Sequence, residues 1–196
     1  QRDGVVRIAG FLNAAEIDEL EANFDRFIAN VVPGLPATDA FYEVDGGRRD
    51  LKQMQRITDH DSYFDQFRNR AKFVELAELL LGGPVHSEGM EWFNKPAGIG
   101  KPTPPHQDGF YFSLQPDEAV TMWIALEDVD KENGCVHYLR GSHREGIRPH
   151  GQSAVLGFSQ TLLDFEPPGK AREFVGIVKR GDALGHHSAT IHWADA

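Results

Sequence analysis

The hydrophobic pattern of this 196-residue chain changes its period at Gly82-Gly83-Pro84. Before that point apolar residues recur at helical spacing; after it they alternate, as on strands. Residues 11–28 read FLNAAEIDELEANFDRFI. Asn13 is placed to cap a helix, with Glu16 three residues on completing a capping box. Ile17, Leu20, Phe24 and Phe27 then share one face, and the stretch Val31 to Pro36 ends the helix. A second helical region is expected over 61–81, with Phe64, Phe67, Ala71 and Val74 on one face and Leu76 to Leu81 extending it. A Gly pair followed by Pro is a natural stop for it.

From Val85 the chain reads as strands. Residues 85–94 form one candidate, and PAGIGKPTPP at 96–105 is a Gly/Pro loop. In VTMWIAL, Val120, Met122, Ile124 and Leu126 alternate with Thr121, Trp123 and Ala125, the mark of a half-buried strand. Short strands are expected near 136–139, 174–178 and 183–192. Many short strands after a helical layer point to a mainly β fold, a jelly roll with its N-terminal helices packed on one sheet.

The formal net charge of −10 argues against nucleic acid as a partner, because phosphate binding needs clustered Lys and Arg. Cys135 is the single cysteine, so no internal disulfide can form. No apolar run approaches ~18 residues, which argues against a transmembrane helix. No signal peptide is visible, and the default expectation is a cytoplasmic protein without a membrane partner. The oligomeric state is not legible.

The chemistry-bearing stretch is PHQDGFYF at 105–112. On an extended strand His106 and Asp108 point to one face, where an imidazole and a carboxylate can bind one metal ion. A His from a distant strand would complete a 2-His-1-carboxylate triad, which leaves positions open on Fe(II) and suits non-haem iron oxygenases. His-x-Asp alone is a common accident among nine histidines. Two features of context raise its weight here. The pair follows the Gly/Pro loop and runs into the aromatic FYF, read as strand. His192, in GHHSATIHWADA, follows Gly181-Asp182, a plausible tight turn before an inward-facing strand.

The segment WFNKPAGIGKPTPPHQDGFYFSLQPDEAVTMWIALEDVDKENGC, then GSH at 141–143 and a closing GD…HH….H pattern, resembles the phytanoyl-CoA dioxygenase family. The opening DGVVRIAGFLNAAEIDEL is similar to that family's N-terminal strand and helix. The resemblance covers nearly the whole chain, 1–196, as a single domain. It implies a double-stranded β-helix, Fe(II), 2-oxoglutarate as co-substrate, and O2. His106, Asp108 and His192 match the family's iron ligands. Trp123 matches a residue beside the 2-oxoglutarate, with an ordinary sheet aromatic as the other reading. Met90 matches another position lining that pocket, and core packing is equally open for it. Lys95 is a candidate to attract a carboxylate, with a solvated lysine as the alternative. The implied activity is hydroxylation of a small organic substrate. Asp108 speaks against halogenation, because halide would need its coordination position. A non-catalytic or differently metallated jelly-roll binding protein stays open beside this reading.

Strand parity separates the histidines. His187 lies five residues before His192 and should face the opposite side; His186 shares parity with His192 but sits a full strand segment away. His143 reads as a turn residue, His137 and His150 as surface residues, and Cys135 as a small buried one. The family carries an Arg about ten residues beyond the distal His, whose bidentate fork pairs with the far carboxylate of 2-oxoglutarate. The sequence ends four residues after His192, so that Arg and the closing strands are expected beyond Ala196. The long stretches 33–50 and 144–172 are the expected substrate walls, and Arg140, Arg144 and Arg148 are candidates to meet an anionic substrate.

Overall fold

The computed structural model describes residues 2–44 and 50–196. In chain order the elements are β1 (Val5–Ile8), α1 (Ala14–Asn30), β2 (Ala40–Tyr42), β3 (Leu51–Met54), α2 (Ile57–His60), α3 (Ser62–Arg68), α4 (Ala71–Leu81) and β4 (Trp92–Phe93). They continue as β5 (Thr103–His106), α5 (Asp108–Phe112), β6 (Val120–Ile124), β7 (Val136–Leu139), β8 (His150–Val155), β9 (Phe158–Leu162), β10 (Glu173–Val175), β11 (Ala183–His187) and β12 (His192–Ala194). The chain divides into two compact units, Asp18–Gly100 and Gln1–Ile17 with Lys101–Ala196.

In the Asp18–Gly100 unit the helices follow the apolar spacing. Leu20, Phe24 and Phe27 of α1 are buried, and Phe27 meets Phe64 of α3 edge-on at 5.4 Å. The helical region expected over about 61–81 is two helices, α3 and α4, with the short α2 just ahead of it. Asp61 is extended and its carboxylate accepts the Tyr63 N–H at 2.9 Å, so it caps α3 rather than continuing α2. Arg70 is extended between α3 and α4. Gly82, at φ +82°, ends α4 as expected and donates its N–H to Glu78. The 85–94 strand is a correction: only Trp92 and Phe93 pair, with Met54 and Gln53 of β3. Residues 85–91 have no ladder partner there, and the Ser87 carbonyl is taken by the Arg68 guanidinium instead. The sheet order is β2-β3-β4. Of the 33–50 stretch, Ala40–Tyr42 is strand and 45–49 lies outside the described residues.

The other unit holds two antiparallel sheets, ordered β1-β11-β6 and β10-β7-β12-β5, and the hairpin β8-β9. The capping box at the head of α1 forms as read: Asn13 Oδ1 accepts the Glu16 N–H and Glu16 Oε2 accepts the Asn13 N–H, at 3.0 and 2.8 Å. Tyr138 from one sheet and Leu184 from the other share a core with Ala125, Cys135 and Val178. Gly181 sits at φ +89°, and a Cβ there would lie 2.5 Å from the Leu12 carbonyl oxygen, so the turn before β11 requires glycine.

Three further expectations change in this unit. The 183–192 segment is two strands, because Ser188–Ile191 carries the chain from the three-stranded sheet to the four-stranded one. FYF is helical, not strand: the Gly109 N–H goes to Ser188 O and the Ser113 N–H closes a turn onto Gly109 O. The 144–172 stretch contains the β8–β9 hairpin rather than an irregular loop. Among the described residues no helix is long and apolar enough to cross a membrane.

Candidate metal centre

His106 ends β5 and His192 begins β12, and the two are directly opposed in register. Gln107 between the ligand candidates is extended, at φ −126° and ψ 127°, so Asp108 points to the same side as His106 although it starts a helix. One donor atom from each of His106, Asp108 and His192 lies within 4.8 Å of the others. Asp108 Oδ1 is 3.5 Å from His106 Nε2 and 3.4 Å from His192 Nε2.

The backbone fixes both rings. His106 Nδ1 lies 2.8 Å from the Pro104 carbonyl and His192 Nδ1 lies 2.9 Å from the Thr190 carbonyl. A carbonyl only accepts, so each Nδ1 carries the proton and each Nε2 presents a lone pair to the centre. Burial pushes the His192 pKa down to about 3, with help from His106, so its ring is neutral at ordinary pH. Burial works to raise the Asp108 pKa, but His192, His106 and His186 outweigh it and hold the carboxyl well below the usual range. Two neutral imidazoles and one ionised carboxylate are the protonation states a divalent metal needs.

The other carboxylate oxygen is also held. Thr121 Oγ1 donates to Asp108 Oδ2 at 2.6 Å, and His186 Nε2 lies 3.0 Å from the same atom. Thr121 and His186 are opposed in the β6–β11 register and therefore share a face. Oδ1 thus faces histidines of the four-stranded sheet, while Oδ2 is gripped by the three-stranded one.

His186 shares parity with His192, and only its distance along a single continuous strand set it apart. The crossover at Ser188–Ile191 splits that strand in two and brings the two rings together. His186 is 4% exposed, with its ring centroid 4.5 Å from that of His192. Thr121 and Tyr138 were also missed; one signal for Thr121 was its alternation with Trp123. Trp123 shares the face of Thr121 and packs against the core around Leu184. Met90 and Lys95 belong to the other unit and flank β4, outside regular structure.

His187 lies off the site, with Nδ1 accepting the Ala189 N–H at 3.1 Å. His137 is buried rather than on the surface, 2.7 Å from Glu173 and stacked on Trp193. His150 is half-buried and stacked on Phe110 at 4.3 Å. Cys135 is buried as expected, and His143 falls in a short 3-10 turn. Arg148 pairs with Asp164 at 2.8 Å, and Arg140 lies over Phe174 and 3.6 Å from Asp3, so both guanidinia have partners within the protein.

The family model described as phytanoyl-CoA dioxygenase (PhyH) matches residues 1–196. The chain belongs to the phytanoyl-CoA dioxygenase family. It is 25% identical over 205 residues to the peroxisomal phytanoyl-CoA dioxygenase of Rattus norvegicus, covering 98% of this chain and 60% of that protein. It is 33% identical over 135 residues to the phytanoyl-CoA dioxygenase of Arabidopsis thaliana, covering 67% of this chain and 46% of that protein. The chain thus spans less than two thirds of the length of these relatives. Among solved structures it is similar to the epimerase SnoN in complex with Fe3+, alpha ketoglutarate and nogalamycin RO. That match has a TM-score of 0.73 at 27% identity, over 100% of this chain and 73% of that one.

Proposed function

We propose that the protein is an Fe(II)- and 2-oxoglutarate-dependent dioxygenase that hydroxylates a small organic substrate. One observation carries this reading: His106, Asp108 and His192 converge with the tautomers and charge that Fe(II) requires. Family membership and the likeness to a protein crystallised with iron and alpha ketoglutarate support it. The two sheets sharing one core support a double-stranded β-helix as the fold.

His106 Nε2, Asp108 Oδ1 and His192 Nε2 would hold the metal. Held there, iron would supply the oxidising power for hydroxylation, with 2-oxoglutarate and O2 as co-substrates and succinate and CO2 as co-products. The chain's own part is to aim both Nε2 atoms at the centre, to keep the His192 imidazole neutral, to hold Asp108 ionised, and to bury the histidines away from water. Trp123 is proposed to border the co-substrate, which its position one alternation from Thr121 on β6 supports. Met90 is proposed as a further co-substrate residue on the family resemblance alone, and Lys95 as a carboxylate partner on its charge alone. The lone thiol Cys135 suits a reducing compartment such as the cytoplasm, which is part of the proposal.

The test is succinate formation from 2-oxoglutarate by the purified protein, with and without Fe(II) and O2. Turnover that requires both, and is lost in His106→Ala, supports the reading. Stoichiometric iron binding with no succinate, across a library of small organic substrates, would favour a binding protein instead.

A further inference from the structure

We propose that His186 is a positioning residue for this metal centre, clamping Asp108 Oδ2 so that Oδ1 is the single carboxylate donor. The proposal rests on the metal reading above and goes beyond it. His186 is a buried imidazole that the triad does not use, and it comes from β11, in the sheet that carries neither His106 nor His192. Its two ring nitrogens have distinct partners. Nε2 lies 3.0 Å from Asp108 Oδ2 and Nδ1 lies 3.3 Å from the Tyr138 hydroxyl.

The protons follow from these partners. An ionised carboxylate only accepts, so His186 Nε2 must carry the hydrogen and donate it. In a neutral ring Nδ1 is then an acceptor, and it takes the hydrogen of the Tyr138 hydroxyl. Tyr138 is wholly buried and its ring is stacked on His192 at 5.8 Å, so the hydroxyl is held in place by the same core that seats the ligand. A protonated Nε2 has no lone pair for a metal, which separates His186 from the ligands despite its nearness.

Thr121 donates to the same oxygen at 2.6 Å. With both donors in place, Oδ2 is turned towards the three-stranded sheet and Asp108 cannot chelate through both oxygens. The coordination position that a bidentate carboxylate would take is left for another ligand.

The experiment measures Mn(II) affinity by calorimetry and the visible absorption of the Co(II)-loaded protein. Losing an outer partner of a metal ligand weakens affinity about 10–100-fold, and that loss is expected for His186→Phe. Its Co(II) band should shift as the released carboxylate changes its binding. His186→Gln, whose side-chain N–H can reach the same oxygen, should recover most of the affinity and the wild-type band. Tyr138→Phe should weaken binding by less than His186→Phe.

Wild-type affinity and an unchanged band in His186→Phe overturn the proposal. So does a His186→Gln protein as weak as His186→Phe, which would indicate direct ligation or packing alone. If His186→Phe does not fold by circular dichroism, Tyr138→Phe decides, and unchanged affinity there overturns the proposal. A wild-type protein that binds no Mn(II) overturns the metal reading itself, a result distinct from binding that survives in His186→Phe.

Discussion

His106 and His192 stand directly opposite one another on adjacent antiparallel strands, with ring centroids 4.2 Å apart. Opposed residues on a ladder share a face, so this register is what makes the pair a binding site. A slip of one residue would turn His192 to the other face. β12 is held on both edges, by β5 and by β7, where His192 also opposes Tyr138. The register is therefore fixed from two sides.

The first expectation is metal binding that depends on this pair. The wild-type protein should bind one Fe(II) per chain. His106→Ala or His192→Ala should weaken it by more than the roughly 10–100-fold typical of outer-shell losses. His187→Ala should leave it intact, because His187 is turned towards Ala189 and His143. Competition with a coloured chelator measures all three; loss of metal in His187→Ala with retention in His192→Ala would reverse the assignment.

Acid should destabilise the metal-free protein through His192. Its pKa is about 3 in the fold, against ~6.5 in an unfolded chain. Between those values the unfolded state binds the proton and the folded state does not, so stability is full above ~6.5 and falls as pH drops towards 3. The loss from this group is on the order of 3 kcal/mol between pH 7 and 4. Asp108, whose folded pKa is depressed, adds a further loss below its ordinary carboxylate range. Urea unfolding at pH 7, 5.5 and 4 measures the slope, and His192→Gln should flatten it. An equal slope in that variant would remove His192 as the cause.

Much of the site was legible in the residues, and the rest failed for one reason. The α1 capping box, the Gly82 stop, the β6 alternation and the His106–Asp108 pair were all readable, because each depends on spacing within a short segment; His192 was legible through the family resemblance. What was missed depends on which strands pair. Alternation over 85–94 promised a strand, but among the described residues only Trp92 and Phe93 find a partner. FYF has strand-forming residues yet winds into α5, where the Phe110 and Ser113 N–H groups close turns onto Gln107 and Gly109 rather than joining a ladder. His186, which has the parity of His192, was set aside because its distance was counted along one strand, whereas the chain changes sheets between them.

Asp182 should be a costly polar residue to lose outside the site. Its buried carboxylate accepts the N–H groups of Gly10 and Lys179 at 2.8 and 3.0 Å and the Arg7 guanidinium at 2.7 Å, tying β1 to the start of β11. Asp182→Ala leaves part-buried donors unpaired and should cost about 1–3 kcal/mol. Arg7→Ala should cost less than about 1 kcal/mol, since Arg7 is largely solvated and its pairing is screened. Chemical denaturation of the two variants checks the contrast; equal losses would mean that the ion pair, not the backbone donors, is what Asp182 contributes.

Gln107 supports a final expectation. It lies between His106 and Asp108 and is fully buried. Its amide nitrogen donates to Gly146 O and Ala189 O at 2.9 and 2.7 Å, and its Oε1 accepts the Arg148 N–H at 2.8 Å. One side chain thus satisfies three backbone groups, in the turn before β8 and in the crossover that delivers His192. Gln107→Leu leaves all three unpaired, the Ala189 carbonyl among them buried, and should cost about 1–3 kcal/mol, with weaker metal binding because both neighbouring ligands lose their anchor. Gln107→Glu keeps an acceptor for Arg148 but sets a carboxylate against two carbonyl oxygens. Protonation relieves that clash, so the introduced carboxyl should have a raised folded pKa and the variant should gain stability, relative to wild type, as pH falls through it. Melting temperatures of wild type and both variants at pH 7.5 and 5 measure this. A Gln107→Glu protein that tracks wild type at both pH values would show that the amide nitrogen's two bonds contribute nothing to holding the crossover.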